Sequence, residues 1–538
     1  MKPSNREDNT YDVMVVGAGT SGMEASLSLG DMGYKVLLAE KAPSIGGKTI
    51  LLSKVFPTLD CASCISTPKM AATAHHPNVR LMVYTEVEDI VPENGRFVAK
   101  LRQKATYADP AKCTGCAQCE TVCTVAVPDQ YNYGLIARRA AHIPFPQAIP
   151  KKAIVDKRGS APCHAECPAG VHASGFVSLV RAGKYAEGFR LHLEDAPLVG
   201  VLSRACYAPC EGACTRGDDE GAVNIRAVKR FMVDRYYAEH PEPEYGVPAE
   251  LLPTKVAVVG SGPAGLSAAY FLARAGHRVT VFESEAQAGG MLRYGLPSYR
   301  LPKDVVDRDL KNVTALGVEI KTHTRVTSLA ALQTQGFAGI VVAVGGKEPR
   351  PVSIAGLDLV TASDCMSFLH ECSDTACRDQ RGEIADKHVV VIGGGNVAID
   401  VARSSLRLGA KSVTVLCLEC RKDMPAHSFE IQEAQEEGIV FHPASVTERI
   451  FSTPAGSMLE FLEVESFSFA GGQSQIKTVP GSAQQIRADT VVLAVGLSPS
   501  TGLFATELKL NKNKTIQVNE RTMETSLPGV FAAGDGVI

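Results

Sequence analysis

Three stretches of the chain share one pattern: a short apolar run, a glycine turn, apolar residues at helical spacing, then a second apolar run ending on an acid. The best formed is Lys255 to Glu283, KVAVVGSGPAGLSAAYFLARAGHRVTVFE. Val256 to Val259 is continuously apolar and predicts a buried strand. Leu266, Ala269, Leu272 and Ala273 fall on one helical face, and Val279 to Phe282 predicts a second strand that closes on Glu283. Tyr11 to Lys41 repeats the pattern with Gly17, Gly19 and Gly22 in the turn and Glu40 at the end. His388 to Glu419 repeats it again, with Gly393, Gly395 and Ala398 in the turn and Glu419 at the end.

Between these units the periodicity changes. Residues 79–101 predict a small antiparallel meander with Val91-Pro92-Glu93-Asn94-Gly95 as its turn. Residues 142–162, containing HIPFPQAIP, are a proline-rich connector. Phe176, Leu179, Val180 and Phe189 lie at helical spacing and 201–230 lacks strand alternation, so 160–240 predicts a small helical domain. HPEPEYGVP, at 240–248, is a linker. Residues 318–344 alternate and end in IVVAVGG.

Composition changes this picture little. A chain of 538 residues is too long for one core, and 45% hydrophobic with 21% charged residues is a globular balance. The formal net charge of −3 gives no reason to expect a nucleic acid or an anionic membrane as partner. The polar start MKPSNREDNT lacks a signal-peptide layout, and no apolar run has membrane-spanning length, so a cytoplasmic protein without membrane insertion is expected.

The glycines supply the chemistry. They let the backbone approach a pyrophosphate at a helix N-terminus, and the terminal acid can accept from a ribose hydroxyl. Gly260, Gly262, Gly265 and Glu283 form one such candidate site. Gly290 and Leu292, in the glycine-rich turn GGMLRYGLPSYRLP, should lie over its cofactor, and Asp535 of GVFAAGD should close it. Gly393, Gly395, Ala398 and Glu419 form a second site, and Gly17, Gly19, Gly22 and Glu40 a third.

Eleven of the sixteen cysteines fall within the first 214 residues, in spacings that suit metal binding or redox chemistry better than a disulfide framework. Cys113, Cys116, Cys119 and Cys123 make the C-x2-C-x2-C-x3-C run of bacterial ferredoxins. A structural zinc site is the rival, although zinc usually pairs two such arms across a longer gap. Thr124 stands where the ferredoxin run usually has proline. Cys163, Cys167, Cys206, Cys210 and Cys214 are further candidate ligands. Cys61 and Cys64 suit a cluster or a structural role, with a redox dithiol as the alternative. Cys417 and Cys420 sit at a strand end and are expected to be inert, and Cys365, Cys372 and Cys377 to be small buried hydrophobes.

The motifs CHAECPAGV, CYAPCEGAC, AVNIRAVKRF, MLRYGLPSYRLP, GGGNVAID and RKDMPA make residues 160–538 resemble the small subunit of glutamate synthase, the NADH-dependent ferredoxin oxidoreductase subunit and dihydropyrimidine dehydrogenase. FPTLDC, STPKM, the ferredoxin run and VPDQYNYGLIARRAAHIPFPQAIP make residues 11–155 resemble heterodisulfide reductase A, an electron-bifurcating flavoprotein. The resemblance implies an α/β, two-dinucleotide-binding Rossmann-like flavoprotein with a ferredoxin-like insert and an α-helical iron–sulfur domain. The expected division is an incomplete N-terminal unit at 1–105, a [4Fe–4S] segment and connector at 106–155, and the helical domain at 156–245. An FAD domain at 253–375 and 497–538 and a nicotinamide domain at 376–496 complete it.

It further implies FAD, NADH or NADPH, and [4Fe–4S] clusters as cofactors, with redox partner subunits in a hetero-oligomer. A flavin joins two-electron hydride chemistry to one-electron clusters. Relatives place Gln or Glu as a cluster ligand near Lys229 and have two more cysteines upstream of Cys163, so one cluster is short of a ligand here. Cys167, Cys206 and Cys210 are the expected set for one cluster, with Cys163 and Cys214 half of another. The N-terminal unit lacks its own closing strand and Gly-Asp turn, so the chain is expected to be a fragment or to have that complement beyond residue 538. Glu419 should favour NADH, since a carboxylate accepts from both ribose hydroxyls and repels a 2′-phosphate. A non-catalytic relay subunit with vestigial nucleotide sites, or a dithiol-using disulfide reductase, is the alternative function. The intact glycines and acids favour the enzyme.

Overall fold

The computed structural model describes residues 10–537 apart from 94, 124, 158–159, 374–383 and 471–472; Thr124 and Cys377 therefore lie outside the described residues. The chain forms two compact units, Met1–Gly159 and Ser160–Ile538.

In the first unit, β1 (Val13–Val16), α1 (Thr20–Asp31) and β2 (Val36–Ala39) make the expected strand–helix–strand, with both strands parallel. The strand Val79–Met82, β3, extends this sheet in the order β1-β2-β3. The expectation of one antiparallel meander over 79–101 is corrected here. Val79 and Leu81 are drawn into the core with Val36, Leu38 and Met70, which places β3 parallel to β2. The antiparallel part is the hairpin of Thr85–Glu93 and Arg96–Gln103. Pairing of Glu93 with Arg96 keeps Val91, Pro92 and Glu93 in the strand, so the turn is shorter than expected, and Asn94 lies outside the described residues. Proline is tolerated there because a two-stranded ribbon leaves an edge that needs no N–H donor. The cysteine insert is not a separate body. Ile143, Phe145 and Ala148 are buried with Met23 and Ile45 of the nucleotide-binding half, and helix α2 (Ala62–His75) adds Met70.

The second unit begins with helices, as expected: α3 (Pro162–Ala165), α4 (Ala173–Arg181), α5 (Tyr185–Asp195), α6 (Val199–Ala205), α7 (Pro209–Gly212) and α8 (Ile225–Glu239). The Asn224 side chain caps α8 by accepting from Ala227 N at 3.2 Å. Phe176, Phe189, Leu193, Met232 and Tyr236 pack in one core with Val258, Leu266 and Tyr270 of the following region. Buried Asp309 strengthens this join by accepting from Gly200 N at 3.1 Å, Val201 N at 2.8 Å and the Tyr237 hydroxyl at 2.5 Å.

Next come β4 (Lys255–Val259), α9 (Pro263–Arg274), β5 (Arg278–Phe282), α10 (Met291–Tyr294), α11 (Lys303–Thr314), β6 (Glu319–Lys321) and β7 (Gly339–Val342). The alternating stretch 318–344 also contains a helical turn, Leu329–Thr334, capped by Ser328 Oγ. Together with β13 (Val530–Ala532), these strands form a parallel sheet in the order β6-β5-β4-β7-β13.

A second parallel sheet contains β8 (Thr361–Asp364), β9 (His388–Ile392), β10 (Ser412–Leu416), β11 (Val440–His442) and β12 (Thr490–Leu493), in the order β8-β12-β9-β10-β11. Its helices include α12 (Asn396–Arg407) and α13 (Ser428–Glu436). Because β8 pairs with β12, it falls on the nicotinamide side of the boundary expected after residue 375. No helix among the described residues is long and apolar enough to cross a membrane.

Candidate cofactor-binding sites

Each predicted glycine turn joins a strand to a helix N-terminus. Gly262 is the N-cap of α9, Gly395 of α12 and Gly19 of α1. Gly260 has φ +103°, and a Cβ there would lie 2.4 Å from Ala343 O, because β7 crosses close above it. A Cβ on Gly393, at φ +139°, would lie 2.2 Å from Ala494 O for the same reason. Only glycine fits such a combination of dihedral and contact. Gly265 is needed for a different reason: its Cβ would sit 2.0 Å from Gly260 O, where the helix packs on the turn. At the third turn Ala398 is fully buried and continues the helix by donating to Gly395 O at 3.0 Å.

Around the second-unit turn lies a cavity of about 470 Å³ lined by Gly260, Gly262, Glu283, Gly290, Gly345, Gly346 and Asp535. The Glu283 carboxylate is buried and fixed by Ser261 N at 3.0 Å and Ser261 Oγ at 2.5 Å. Ser261 Oγ accepts in turn from Gly289 N at 3.0 Å, which ties the Gly-Gly turn to the acid. Gly290, at φ +52°, faces Gly262, and a Cβ there would lie 2.8 Å from Gly262 Cα. Leu292 is buried in α10. The backbone carbonyls of Leu292 and Leu296 accept from Lys303 Nζ, whose pKa burial, helped by Arg293, lowers to about 8.

Several residues that sequence reasoning passed over also belong here. Lys347 pairs with Glu285 at 2.8 Å, and His370 stacks on Tyr294 with centroids 4.6 Å apart. Both histidine and tyrosine line the cavity. Arg300, within the quoted MLRYGLPSYRLP, reaches across to the second sheet's helices. It donates to Asp400 at 2.6 Å and Glu430 at 2.5 Å. Both acids are buried, and burial holds their carboxyls above the usual range against the opposing pull of Arg300. The arginine in SYRLP and the acid in GGGNVAID were the available signal, but nothing in the sequence paired them.

At the second sheet, Glu419 follows β10 with its carboxylate beside the glycine turn, 2.9 Å from where a Cβ on Gly394 would stand. The neighbouring Arg421 is engaged elsewhere, donating to Gln435 at 2.6 Å and lying over the Phe441 ring. Cys417 is buried, with its thiol raised to about 12 by burial, and Cys420 donates to Asp423. Cys365 is buried as expected, whereas Cys372 is half-buried.

The cysteines form two groups. In the helical region Cys206 and Cys167 both lie near Cys210. Burial pushes the Cys210 thiol up to about 11, while nearby Lys229, itself buried, acts in the opposite direction. Cys206 Sγ accepts from Ala208 N at 3.3 Å. Helix α3, which carries Cys163, packs against α7, and Cys214 lies just beyond the end of α7. In the first unit Cys113, Cys116 and Cys119 are neighbours, and left-handed Ala117 and positive-φ Gly115 curl the loop around them. Cys113 Sγ accepts from Ala153 N at 3.2 Å and Cys123 Sγ from Ala141 N at 3.5 Å. Among the described residues no three His, Cys, Asp or Glu side chains converge tightly enough to hold one metal ion. The donor set nevertheless suits clusters: several soft thiols share a loop, and backbone N–H groups point at the sulfurs. Cys61 and Cys64 flank the start of α2 in the open, and their mutual hydrogen bond pulls the Cys61 thiol down and pushes Cys64 up.

The first-unit turn matches the second unit at most points. The Glu40 carboxylate accepts from Ala18 N at 2.6 Å and Ala42 N at 2.8 Å, and a Cβ on Gly22 would lie 1.8 Å from Gly17 O. A cavity of about 820 Å³ beside it is lined partly by the insert, through Tyr131, Arg138, His142 and Phe145.

Residues 254–537 match the family described as pyridine nucleotide-disulphide oxidoreductase. Residues 157–241 match dihydropyrimidine dehydrogenase domain II, 4Fe-4S cluster, and 12–102 match glucose inhibited division protein A. The beta subunit of NADP(+)-dependent formate dehydrogenase from Moorella thermoacetica is 33% identical over 409 residues, 70% of this chain and 57% of that protein. The glutamate synthase [NADPH] small chain of Azospirillum brasilense is 31% identical over 395 residues, 69% of this chain and 80% of that protein. A heterodisulfide reductase A-like protein of Archaeoglobus profundus is 48% identical over 151 residues, 28% of this chain and 22% of that protein. The two resemblances expected from the motifs are thus borne out, although the chain spans little more than half of the formate dehydrogenase relative. The chain belongs to the pyridine nucleotide-disulphide oxidoreductase family.

Proposed function

We propose that the second unit oxidises a reduced nicotinamide nucleotide and that the chain delivers the electrons, singly, to a partner subunit. The carrying observation is that one unit holds two complete glycine cradles, at Gly260 and Gly393, joined across the gap by Arg300. Nicotinamide supplies an electron pair as hydride, and flavin converts the pair into the single electrons that clusters accept.

In this reading Gly260, Gly262, Gly265, Gly290 and Leu292 hold FAD, with Glu283 at its ribose and Asp535 in the cavity lining. Gly393, Gly395, Ala398 and Glu419 hold the nicotinamide nucleotide. Arg300 keeps the two cradles facing. Cys163, Cys167, Cys206, Cys210 and Cys214 ligate clusters in the helical domain, and Cys113, Cys116, Cys119 and Cys123 hold one in the first unit. Lys229, buried near Cys210, places a positive charge against that thiol.

Support for a partner comes from the relatives, which are named as subunits of formate dehydrogenase and of glutamate synthase. Anaerobic titration with a reduced nicotinamide nucleotide tests the reading. Complete bleaching of the bound flavin, followed by cluster reduction, is expected. A flavin that stays oxidised would identify the chain as a relay or scaffold instead.

A further inference from the structure

Helix α8 carries a charge on its buried face. The buried positions are Ile225, Lys229, Met232, Val233 and Tyr236, the spacing of a helix face turned to the core. Lys229 is the one charged residue among them and is only 8% exposed. A lysine on such a face usually lays its stem along apolar surface and keeps the ammonium in water. Here too little of the residue reaches solvent for that. The other cations of α8 are matched: Arg226 donates to Cys206 O at 3.0 Å, Arg230 pairs with Asp234 at 3.6 Å, and Arg235 with Glu239 at 2.6 Å. Among the described residues none accepts a hydrogen bond from Lys229 Nζ or forms an ion pair with it.

The groups near this ammonium offer it no negative charge as they stand. His192, buried on α5, is one; burial, reinforced by Lys229, lowers its pKa to about 3, so the imidazole is neutral. Cys210 is another, with Cys206 and Cys167 close to it. Free thiols are neutral at pH 7 as well. Glu211, next to Cys210 in the chain, turns its carboxylate to the start of α8, where it accepts from Arg226 N at 2.7 Å. A buried ammonium without a counter-charge is costly. Of these neighbours only the cysteines can become anionic in place, because iron binds them as thiolates.

We infer that Lys229 is the fixed counter-charge of a cluster held by Cys167, Cys206 and Cys210, and that it raises the reduction potential of that cluster. The inference rests on the reading that these cysteines ligate a cluster. Lys229 then acts as a tuning residue and not as a ligand. Reduction adds one negative charge to a group that its thiolates already make anionic. A buried ammonium stabilises that added charge, because the protein interior screens it far less than water does. The lysine keeps its proton throughout, so the step moves one electron and nothing else. Two contacts fix the start of α8 against the cysteine loop: Arg226 with Cys206 O, and Arg226 N with Glu211. The ammonium is thereby held in place, and the cluster beside it becomes the point in the helical domain where an electron rests before it leaves the chain.

Redox titration of the full chain, purified anaerobically and followed by electron paramagnetic resonance, tests the inference. Cys210→Ser marks the signal concerned by removing or altering it. Lys229→Leu removes the charge, Lys229→Arg keeps it, and neither new side chain ligates iron. In Lys229→Leu the equilibrium constant for reducing that cluster should fall about tenfold, a shift of about 59 mV to lower potential for one electron. The other cluster signals should stay where they are, and Lys229→Arg should titrate as the wild type does. Arg230→Gln removes an exposed charge from the next position and should change little, because water and salt screen it. A cluster kept by Lys229→Arg and lost from Lys229→Leu would also support the inference, since charge alone then holds it. An unchanged potential in Lys229→Leu would overturn it. So would an equal fall, or loss of the signal, in both variants, which would make the lysine amine a ligand. A wild-type chain with no signal that responds to Cys210→Ser would overturn the cluster reading itself, and the inference with it.

Discussion

The glycine turns at Gly17 and Gly260 have nearly the same residue pattern but different surroundings. Both are followed by a helix whose N-cap is the second glycine, and both tie the turn to a buried acid through a backbone amide. They part only where the chain returns from far away: Ala343 closes over Gly260, and no described residue closes over Gly17. A phosphate-binding turn is thus a local object, encoded within about 30 residues. A closed nucleotide site is not, because it needs strands from distant sequence.

The sharpest way to break the comparison is at the middle glycines, Gly262 and Gly19. A valine at Gly262 places a branched side chain where the pyrophosphate must approach. Gly262→Val is expected to remove nearly all bound flavin, measured as FAD released per chain on denaturation. Gly19→Val should leave flavin content unchanged in the isolated chain, because the open site contributes little binding there. Two FAD per wild-type chain, or loss of flavin from Gly19→Val, would mean that the two cradles are equivalent.

The next effect is on stability and belongs to the closed site. Arg300 neutralises two buried acids, Asp400 and Glu430, that lie on different helices. Removing one partner of a buried ion pair leaves uncompensated charge and costs about 3–5 kcal/mol. Arg300→Met should destabilise the second unit by that order in denaturant unfolding and slow flavin reduction by nicotinamide. The first unit should unfold as before. A midpoint unchanged within error would show that Arg300 does not hold the two cradles together.

A smaller difference separates Gly260→Ala from Gly17→Ala. Both force alanine into positive φ, which costs about 1–3 kcal/mol. Only at Gly260 does the added methyl also collide with a backbone carbonyl that cannot move aside cheaply. Gly260→Ala should therefore be the more damaging by about 1 kcal/mol or more in the isolated chain. Equal costs would indicate that Gly17 is also covered.

What the sequence disclosed follows the same division. Short-range features were legible: the three strand–turn–helix units, the terminal acids and the cysteine loops each fall within a few dozen residues. Val79–Met82 was misassigned because alternation alone does not say which strand it will join; burial with Val36 and Leu38 decides that. The span of Arg300 was invisible for the same reason. Arg300 and Glu430 are separated by 130 residues, and no periodicity links them. β8 escaped its sheet assignment because Thr361–Asp364 is short and polar, and only pairing with β12 identifies it.

The smallest expected effect concerns the cradle at Gly393 and the choice of nucleotide. Relatives of the chain are named for NADPH and for NADH, so the family leaves this choice to individual residues. Here the Glu419 carboxylate stands beside the glycine turn at Gly394, where the adenine ribose of a bound nucleotide lies in this type of fold. Arg421, the nearest candidate to clamp a 2′-phosphate, is turned toward Gln435 and Phe441. A phosphate of about two negative charges would therefore meet an acid before it met a free guanidinium. NADH is expected to be preferred by about tenfold in kcat/KM, equivalent to about 1.4 kcal/mol, in anaerobic diaphorase assays. Glu419→Arg should reverse the order while leaving flavin content and the iron content of the clusters intact. If the wild type prefers NADPH, Arg421 must swing away from Gln435 when the nucleotide binds. Arg421→Ala should then lower kcat/KM for NADPH and spare NADH, which separates a movable clamp from a fixed repulsion.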